Sequence, residues 1–440
     1  MGADSPKEWL KGLELDGGKF VDLLGKLIGE SKFLQNNPQE LIPKEDRAVR
    51  HVLDVLEPFG TDHGGPLILK HVTYVEGRGN LIIEYPGTGG KDDVVSFVGS
   101  HLDVVMANPD QWKFDPFKLT VDGDMLRGRG TTDCLGHIAL LTELFRLLAE
   151  KKPVLKRTVV AVFIANEETS ATLGIGVDAL VKHGLLDKLK PGPLYWIDTA
   201  DKQPCIGTGG MLVWKLNTYG KLFHSGLPNM AINALELSSE ALKEIQTRFY
   251  KDYPAHPDEK RYGFATSSTM KPTQWTYPPG GVNQIPGECQ ICGDCRITPF
   301  YSVRAVAKSI EGYVEDINAH ITALPVRGPA SKYDLPVENI KGRLVMEFDD
   351  IMTEGVACNL DSIGFHALYD ATEKVLGYVE PYSITGSLPC IREMQDEGFD
   401  VQCVGYGLMS TYHAQDEYCL LSDMKLGFKV LSNVLAILEG

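Results

Sequence analysis

The chain is 440 residues long, 43% hydrophobic and 23% charged, and its 43 basic against 59 acidic residues give a formal charge of -16. That length exceeds one ordinary hydrophobic core, so two lobes are expected, and the composition is that of a globular protein without extreme bias. An acidic balance without a Lys/Arg cluster argues against nucleic acid and anionic membranes as partners, and no apolar run approaches the roughly 18–20 residues that span a bilayer.

The opening MGADSPKEWLKG has neither the apolar core of a secretory signal nor the Arg-rich character of a transit peptide. Gly2 would suit myristoylation, but Pro6 stands where that motif wants Ser or Thr. The nine cysteines are odd in number and scattered, which fits a reducing compartment. The expected location is therefore the cytoplasm.

Along the chain, VVSFVGS (94–100) is the first strand that carries candidate chemistry, and GSHLDVV places His101 and Asp103 directly after it. RGRGTTDCLGH follows, with Asp133 at the mouth of a predicted helix, LGHIALLTELFRLLAE (135–150). A second strand, TVVAVFIAN (158–166), ends at Glu167 and Glu168; a third, PLYWI (193–197), ends at Asp198, with Asp201 as a rival. This strand–helix–strand alternation predicts an α/β fold, a mixed and largely parallel sheet with helices on both faces.

From MLVWKLNTYG onward the order becomes β-α-β-β-α-β: a helix in 228–249, strands STMKPTQWTY and ECQICGDCRI, a helix in 303–321, and the strand GRLVMEFD. That is a split-βαβ (ferredoxin-like) α+β unit, expected as an inserted domain at 212–350 between catalytic segments 1–211 and 351–440. Cys289, Cys292 and Cys295 lie in one of its strands, lack a nearby fourth ligand, and read as small apolar side chains. The last segment includes the strand FDVQCVGYG, and His413 in STYHAQDEY follows it.

In open α/β sheets functional groups gather beyond the carboxyl ends of strands. Read singly, each candidate has a plainer explanation: a helix cap for Asp133, solvated charges for Glu167–Glu168, a turn for Asp198. Together they form a His/carboxylate set that suits zinc. Asp133 can bridge two ions, with His101 and Asp198 on one side and Glu168 and His413 on the other. Adjacent residues of an extended chain point oppositely, so Glu167 can face a water as general base while Glu168 holds metal. Asp103 is placed to accept the far imidazole N–H of His101.

The ordered motifs GSHLDVV, RGRGTTDCLG, ANEE and YHAQDE resemble the metallopeptidase and deacylase family that contains acetylornithine deacetylase, succinyl-diaminopimelate desuccinylase, aminoacylase and glutamate carboxypeptidase, from about residue 45 to the C-terminus. The resemblance implies a zinc-peptidase-like catalytic domain and metal ligands His101, Asp133, Glu168, Asp198 and His413. It also implies Glu167 as catalytic base and Asp103 as the residue orienting His101. It makes the inserted domain a lid that forms a homodimer, with His224 of YGKLFHSGLP reaching a neighbouring subunit's site and stabilising an oxyanion there. Asn283 of VNQIPGEC, Arg296 of GDCRITP, and the Gly386–Ser387 loop match substrate-binding positions.

The implied cofactor is a pair of divalent ions, Zn2+ with Co2+ or Mn2+ as alternatives. The implied reaction is deacetylation of N-acetyl-L-ornithine in arginine biosynthesis, with aminoacylase, dipeptidase and desuccinylase activities as alternatives on one scaffold. A non-catalytic binding protein of the same fold is the rival class, and retention of Glu167 beside the whole ligand set argues against it. The chain departs from the family pattern at Cys134 and Leu135, where Met or Asp and then Lys are usual, and at Leu388–Pro389, where Asp often follows the Gly–Ser pair.

Overall fold

Side-chain caps and hydrophobic patterning set the elements that present the candidate residues. In the computed structural model, which describes residues 5–37, 40–169, 172–328, 330 and 332–440, Asp16 accepts the Gly18 and Lys19 N–H groups at 3.0 and 3.2 Å and opens α1 (Gly17–Leu34). A carboxylate there satisfies donors that have no partner within the helix. The chain continues through α2 (Asp46–Leu56), β1 (Ile68–Val75), β2 (Arg78–Tyr85), β3 (Val94–Val98), α3 (Leu135–Lys151), β4 (Thr158–Phe163), β5 (Pro193–Ile197) and β6 (Cys205–Thr208). It then makes β7 (Gly210–Tyr219), α4 (Ala234–Asp252), β8 (Thr269–Thr276), β9 (Glu288–Ile297), α5 (Val303–Ala319) and β10 (Arg343–Thr353), and finally α6 (Ile363–Leu376), β11 (Asp400–Val404) and α7 (Leu421–Leu438).

Contacts divide the chain into two units: Met1–Ile206 with Cys358–Tyr382 and Pro389–Gly440, and Gly207–Ala357 with Ser383–Leu388. The first is built on a sheet in the order β1-β2-β4-β3-β5-β11-β6. Its centre, β4, β3, β5 and β11, is parallel, and antiparallel pairs flank it at β1–β2, β2–β4 and β11–β6. Every residue of β3 and β5 is buried, as a strand covered on both faces requires. Phe20 and Leu24 of α1, Leu141 and Phe145 of α3, and Phe428 and Leu431 of α7 share one core with Phe97, Phe163 and Tyr195 of the strands. Because the central strands run one way, the residues that follow β3, β4, β5 and β11 emerge at a common edge.

The second unit has the strand order β8-β9-β7-β10, all antiparallel. Burial alternates along β7 and β9, so one face is covered. On it pack Leu237, Ala241 and Ile245 of α4 and Val306, Ile310 and Val314 of α5, against Leu212, Trp214 and Leu216 of β7. The same alternation separates the three β9 cysteines: Cys289 and Cys295 are buried on the core side, while Cys292 lies on the opposite face. Glu354 is spent on structure, accepting from Ser302 Oγ and from the Val303 and Arg304 N–H groups at the start of α5. Among the described residues, no helix is long and apolar enough to cross a membrane.

Candidate metal centre

The chain leaves β3 through Gly99, whose φ is 90° and where a Cβ would stand 2.4 Å from the Trp196 ring. Glycine therefore permits the close approach of β3 and β5 that brings His101 beside Asp198. His101 is fully buried. Its Nδ1 donates to the main-chain oxygen of Asp103 at 2.9 Å, and its Nε2 faces the carboxylates. Nε2 lies 2.8 Å from Asp133 Oδ1, 3.5 Å from Asp198 Oδ1 and 3.9 Å from Glu167 Oε2.

Asp133 stands just before α3, and the Asp133–Cys134 peptide is cis. While its Oδ1 faces His101, its Oδ2 lies 3.1 Å from Nε2 of His413. The same His413 nitrogen is 3.2 Å from Glu168 Oε2, and the His413 side chain is 56% exposed, so the cluster opens to solvent on that side. At the end of β4, Asn166 adopts a left-handed φ of 63°. Glu167 then faces His101 and Glu168 faces His413, the opposed pair that an extended segment predicts. Asp198 joins the cluster, whereas the exposed Asp201 turns its Oδ1 to the Met409 N–H at 3.1 Å.

Asp103 differs in detail from the sequence expectation. Its carboxylate is 3.5 Å from His101 Nδ1, and the main-chain carbonyl makes the shorter contact. The carboxylate instead accepts the Glu167 and Glu168 N–H groups at 3.1 and 3.0 Å and Asn36 Nδ2 at 2.8 Å, fixing the backbone that presents both glutamates. Behind it, Asn166 Oδ1 accepts from Asn36 and Arg78, and Arg78 forms a buried pair with Glu45 at 2.6 Å. Sequence reasoning missed Asn36, Arg78 and Glu45. Asn36 and Asp103 are 67 residues apart, and a single sequence carries no periodic signal for such a polar pairing.

Burial dominates the electrostatics. It pushes the Glu167 carboxyl well above the ordinary carboxylate range, with Asp198, Glu168 and Asp133 adding to the rise and His101 opposing it. Burial and Asp133 raise Glu168 to about 7. For Asp103 and Asp133 burial also works against charge, but the facing His101 outweighs it, joined by Asn36 and the Glu167 N–H at Asp103 and by His413 at Asp133, and both carboxyls fall below the ordinary range. Hydrogen bonds to Asp133 and Glu168 raise His413 to about 10. Like-charged carboxylates held this close, with Asp198 Oδ1 buried and lacking a hydrogen-bond partner, are a donor set completed by cations.

Donor atoms of His101, Asp133 and Glu168 lie within 4.8 Å of one another, as do those of His101, Cys134 and Asp198, so the residues fit divalent ions. Cys134 was not among the sequence candidates; its Sγ also lies 3.4 Å from His137 Nδ1.

The remaining candidates, His224, Asn283, Arg296, Gly386 and Ser387, belong to the second unit. There His224 is exposed and its Nδ1 accepts the Gly226 N–H at 2.9 Å. The Asn283 carbonyl accepts from the Ser225 N–H, Arg296 Nε donates to Asp294, and the Gly386 carbonyl accepts from the Gly209 N–H. Ser387 lies beside Gly386 and is half-buried.

The profile of Peptidase family M20/M25/M40 matches residues 97–436. An acetylornithine deacetylase of Arabidopsis thaliana is 64% identical over 440 residues, covering 99% of either chain. One from Dictyostelium discoideum is 52% identical, over 97% of this chain and 98% of its own. Among solved structures, aminopeptidase PepT from Bacillus cereus superposes with a TM-score of 0.65 at 15% identity, covering 97% of this chain and 100% of its own. Human carnosine dipeptidase 1 gives 0.62 at 17%, over 99% and 98%. At those identities the structural likeness speaks for the fold alone.

Proposed function

Because the chain belongs to peptidase family M20/M25/M40, we propose that it hydrolyses the acetyl amide of N-acetyl-L-ornithine to L-ornithine and acetate at the centre described above. The observation that carries the chemistry is the split of the Asp133 carboxylate, one oxygen 2.8 Å from His101 and the other 3.1 Å from His413. A carboxylate facing two imidazoles through separate oxygens is what a bridge between two cations requires. His101 and Asp198 would hold one ion and Glu168 and His413 the other, with Asp133 between them. The mixed nitrogen and oxygen donors suit Zn2+, and Co2+ or Mn2+ by the same chemistry. When bound, the ions supply Lewis acidity and lower the pKa of water.

Glu167 is assigned as the base that acts on that water. It takes a proton as oxygen attacks the acetyl carbon, then passes the water's protons in turn to the α-nitrogen as the C–N bond breaks. Atoms and charge balance, because acetate and the ornithine ammonium are the products. Burial beside other carboxylates raises its proton affinity, as a base working near neutral pH needs. Asp103 holds the Glu167–Glu168 backbone and the His101 ring in register.

The choice of acyl amino acid rests on full-length similarity to acetylornithine deacetylases of 64% and 52% identity. The second unit is assigned the lid and homodimer role, with exposed His224 donating to the oxyanion in a neighbouring subunit. Asn283, Arg296 and the Gly386–Ser387 loop are assigned to substrate; Arg is well shaped for its carboxylate. The cytoplasm is the assigned location. A substrate panel tests the reading: kcat/KM for N-acetyl-L-ornithine should exceed that for other N-acetyl amino acids, N-succinyl substrates and dipeptides. A dipeptide or succinyl substrate hydrolysed faster would move the protein to another activity of the same scaffold.

A further inference from the structure

The loop that presents His413 ends in Glu417, a carboxylate that is 0% exposed. Its Oε1 accepts the N–H groups of Thr132 at 2.8 Å and Asp133 at 3.1 Å. Its Oε2 accepts Arg129 Nη1 at 2.7 Å and the Gly130 N–H at 3.0 Å. An ionised carboxylate offers about four lone-pair sites, so these donors fill it. Arg129 closes the other half of the clamp, donating through Nη2 to the carbonyl of Ala414, the residue after His413, at 3.2 Å. One buried ion pair thus ties down the segment carrying Asp133 and the segment carrying His413, with Glu417 lying 284 residues beyond Asp133.

We propose that Glu417 is a positioning residue of the metal centre, fixing the Asp133 carboxylate against His413 so that a bridging oxygen falls to each side. The inference rests on the reading of Asp133 and His413 as ligands, and goes beyond it by assigning the geometry of the bridge to a residue that touches neither ion. The carboxylate has no neutral substitute here. In Glu417→Gln an NH2 group would confront N–H donors, leaving buried donors unpaired on the Asp133 segment.

The test compares Glu417→Gln with Glu143→Gln. Glu143 is also buried and paired, to Arg146 at 2.9 Å, and lies within α3, ten residues beyond Asp133. Each folded variant is measured for bound Co2+ per chain, Co2+ affinity against a competing chelator, the visible Co2+ absorption spectrum, and Tm. Both substitutions should lower Tm. Glu417→Gln alone should weaken Co2+ binding, by about 10–100-fold as losses of ligand-orienting contacts do, and change the spectrum. A folded Glu417→Gln protein that binds two ions with wild-type affinity and spectrum would overturn the proposal and leave Glu417 a purely structural residue. If Glu417→Gln does not fold, Glu417→Asp, which keeps the charge one methylene short of its donors, is held to the same readouts. A wild-type chain that fails to bind two ions would instead sink the two-metal reading, an outcome visible before any variant is made.

Discussion

Replacing Glu167 by Gln removes a base and leaves every assigned metal donor in place. The substitution keeps the side chain's volume in a position only 7% exposed, so no cavity opens. What it removes is proton transfer, and the surroundings decide how well another group can stand in. Asp133 faces both imidazoles, Glu168 faces His413 and accepts the Val105 N–H, and the Asp103 carboxylate takes its three donors. Asp198 has an unpartnered oxygen, and that oxygen is assigned to an ion. With no spare base among these described groups, the loss should reach the upper part of the ~10²–10⁴-fold that general bases contribute, or about 4–5 kcal/mol at 1.36 kcal/mol per tenfold. Because proton transfer belongs to the transition state, kcat should fall while KM holds. Ornithine release at saturating substrate measures the first, and elemental analysis of the same sample checks that two ions remain. Turnover within a few-fold of wild type at full metal content would refute Glu167 as the base.

Two further substitutions separate structure from chemistry. Asp16→Ala removes the α1 cap and should cost about 1 kcal/mol near neutral pH. The Lys19 and Gly18 N–H groups hold the Asp16 carboxyl below its ordinary 3.8. Its contribution is therefore present above pH 3.8 and lost as pH falls through the lower folded-state value. Urea denaturation of both proteins at pH 7 should show the gap, and it should close at strongly acid pH; a gap constant down to that pH would be contrary. Glu354→Ala leaves the Ser302 cap of α5 but strips the acceptor from the Val303 and Arg304 N–H groups, and should lower stability by about 0.5–2 kcal/mol without changing KM for N-acetyl-L-ornithine. A marked rise in KM would mean that Glu354 is a countercharge for the substrate's ammonium.

The parts of the centre that sequence could reach are those carried by local motifs. His101, Asp133, Glu167, Glu168, Asp198 and His413 each follow an apolar strand or precede an apolar helix, and parallel strands deliver such ends to one edge. The unseen parts are long-range polar pairings. Asn36 on Asp103, Arg78 on Glu45 and Glu417 on the Asp133 segment join residues whose spacing has no period, so hydrophobic patterning is silent about them. The antiparallel flank was equally hard to read. In β1, ILKHVTYV interleaves Lys and His with apolar residues and is mostly exposed, unlike the continuous apolar runs of β3 and β5. The left-handed backbone at Asn166, directly before the two glutamates, likewise has no signal in the hydrophobic pattern.

Metal dependence of ornithine release tests the central claim most directly. The chain is stripped with a chelator, shown to be metal-free, and titrated with Zn2+ or Co2+ while N-acetyl-L-ornithine is hydrolysed. Turnover should vanish on stripping and return with added ion, saturating at two equivalents per chain. Undiminished hydrolysis by verified metal-free protein would contradict it.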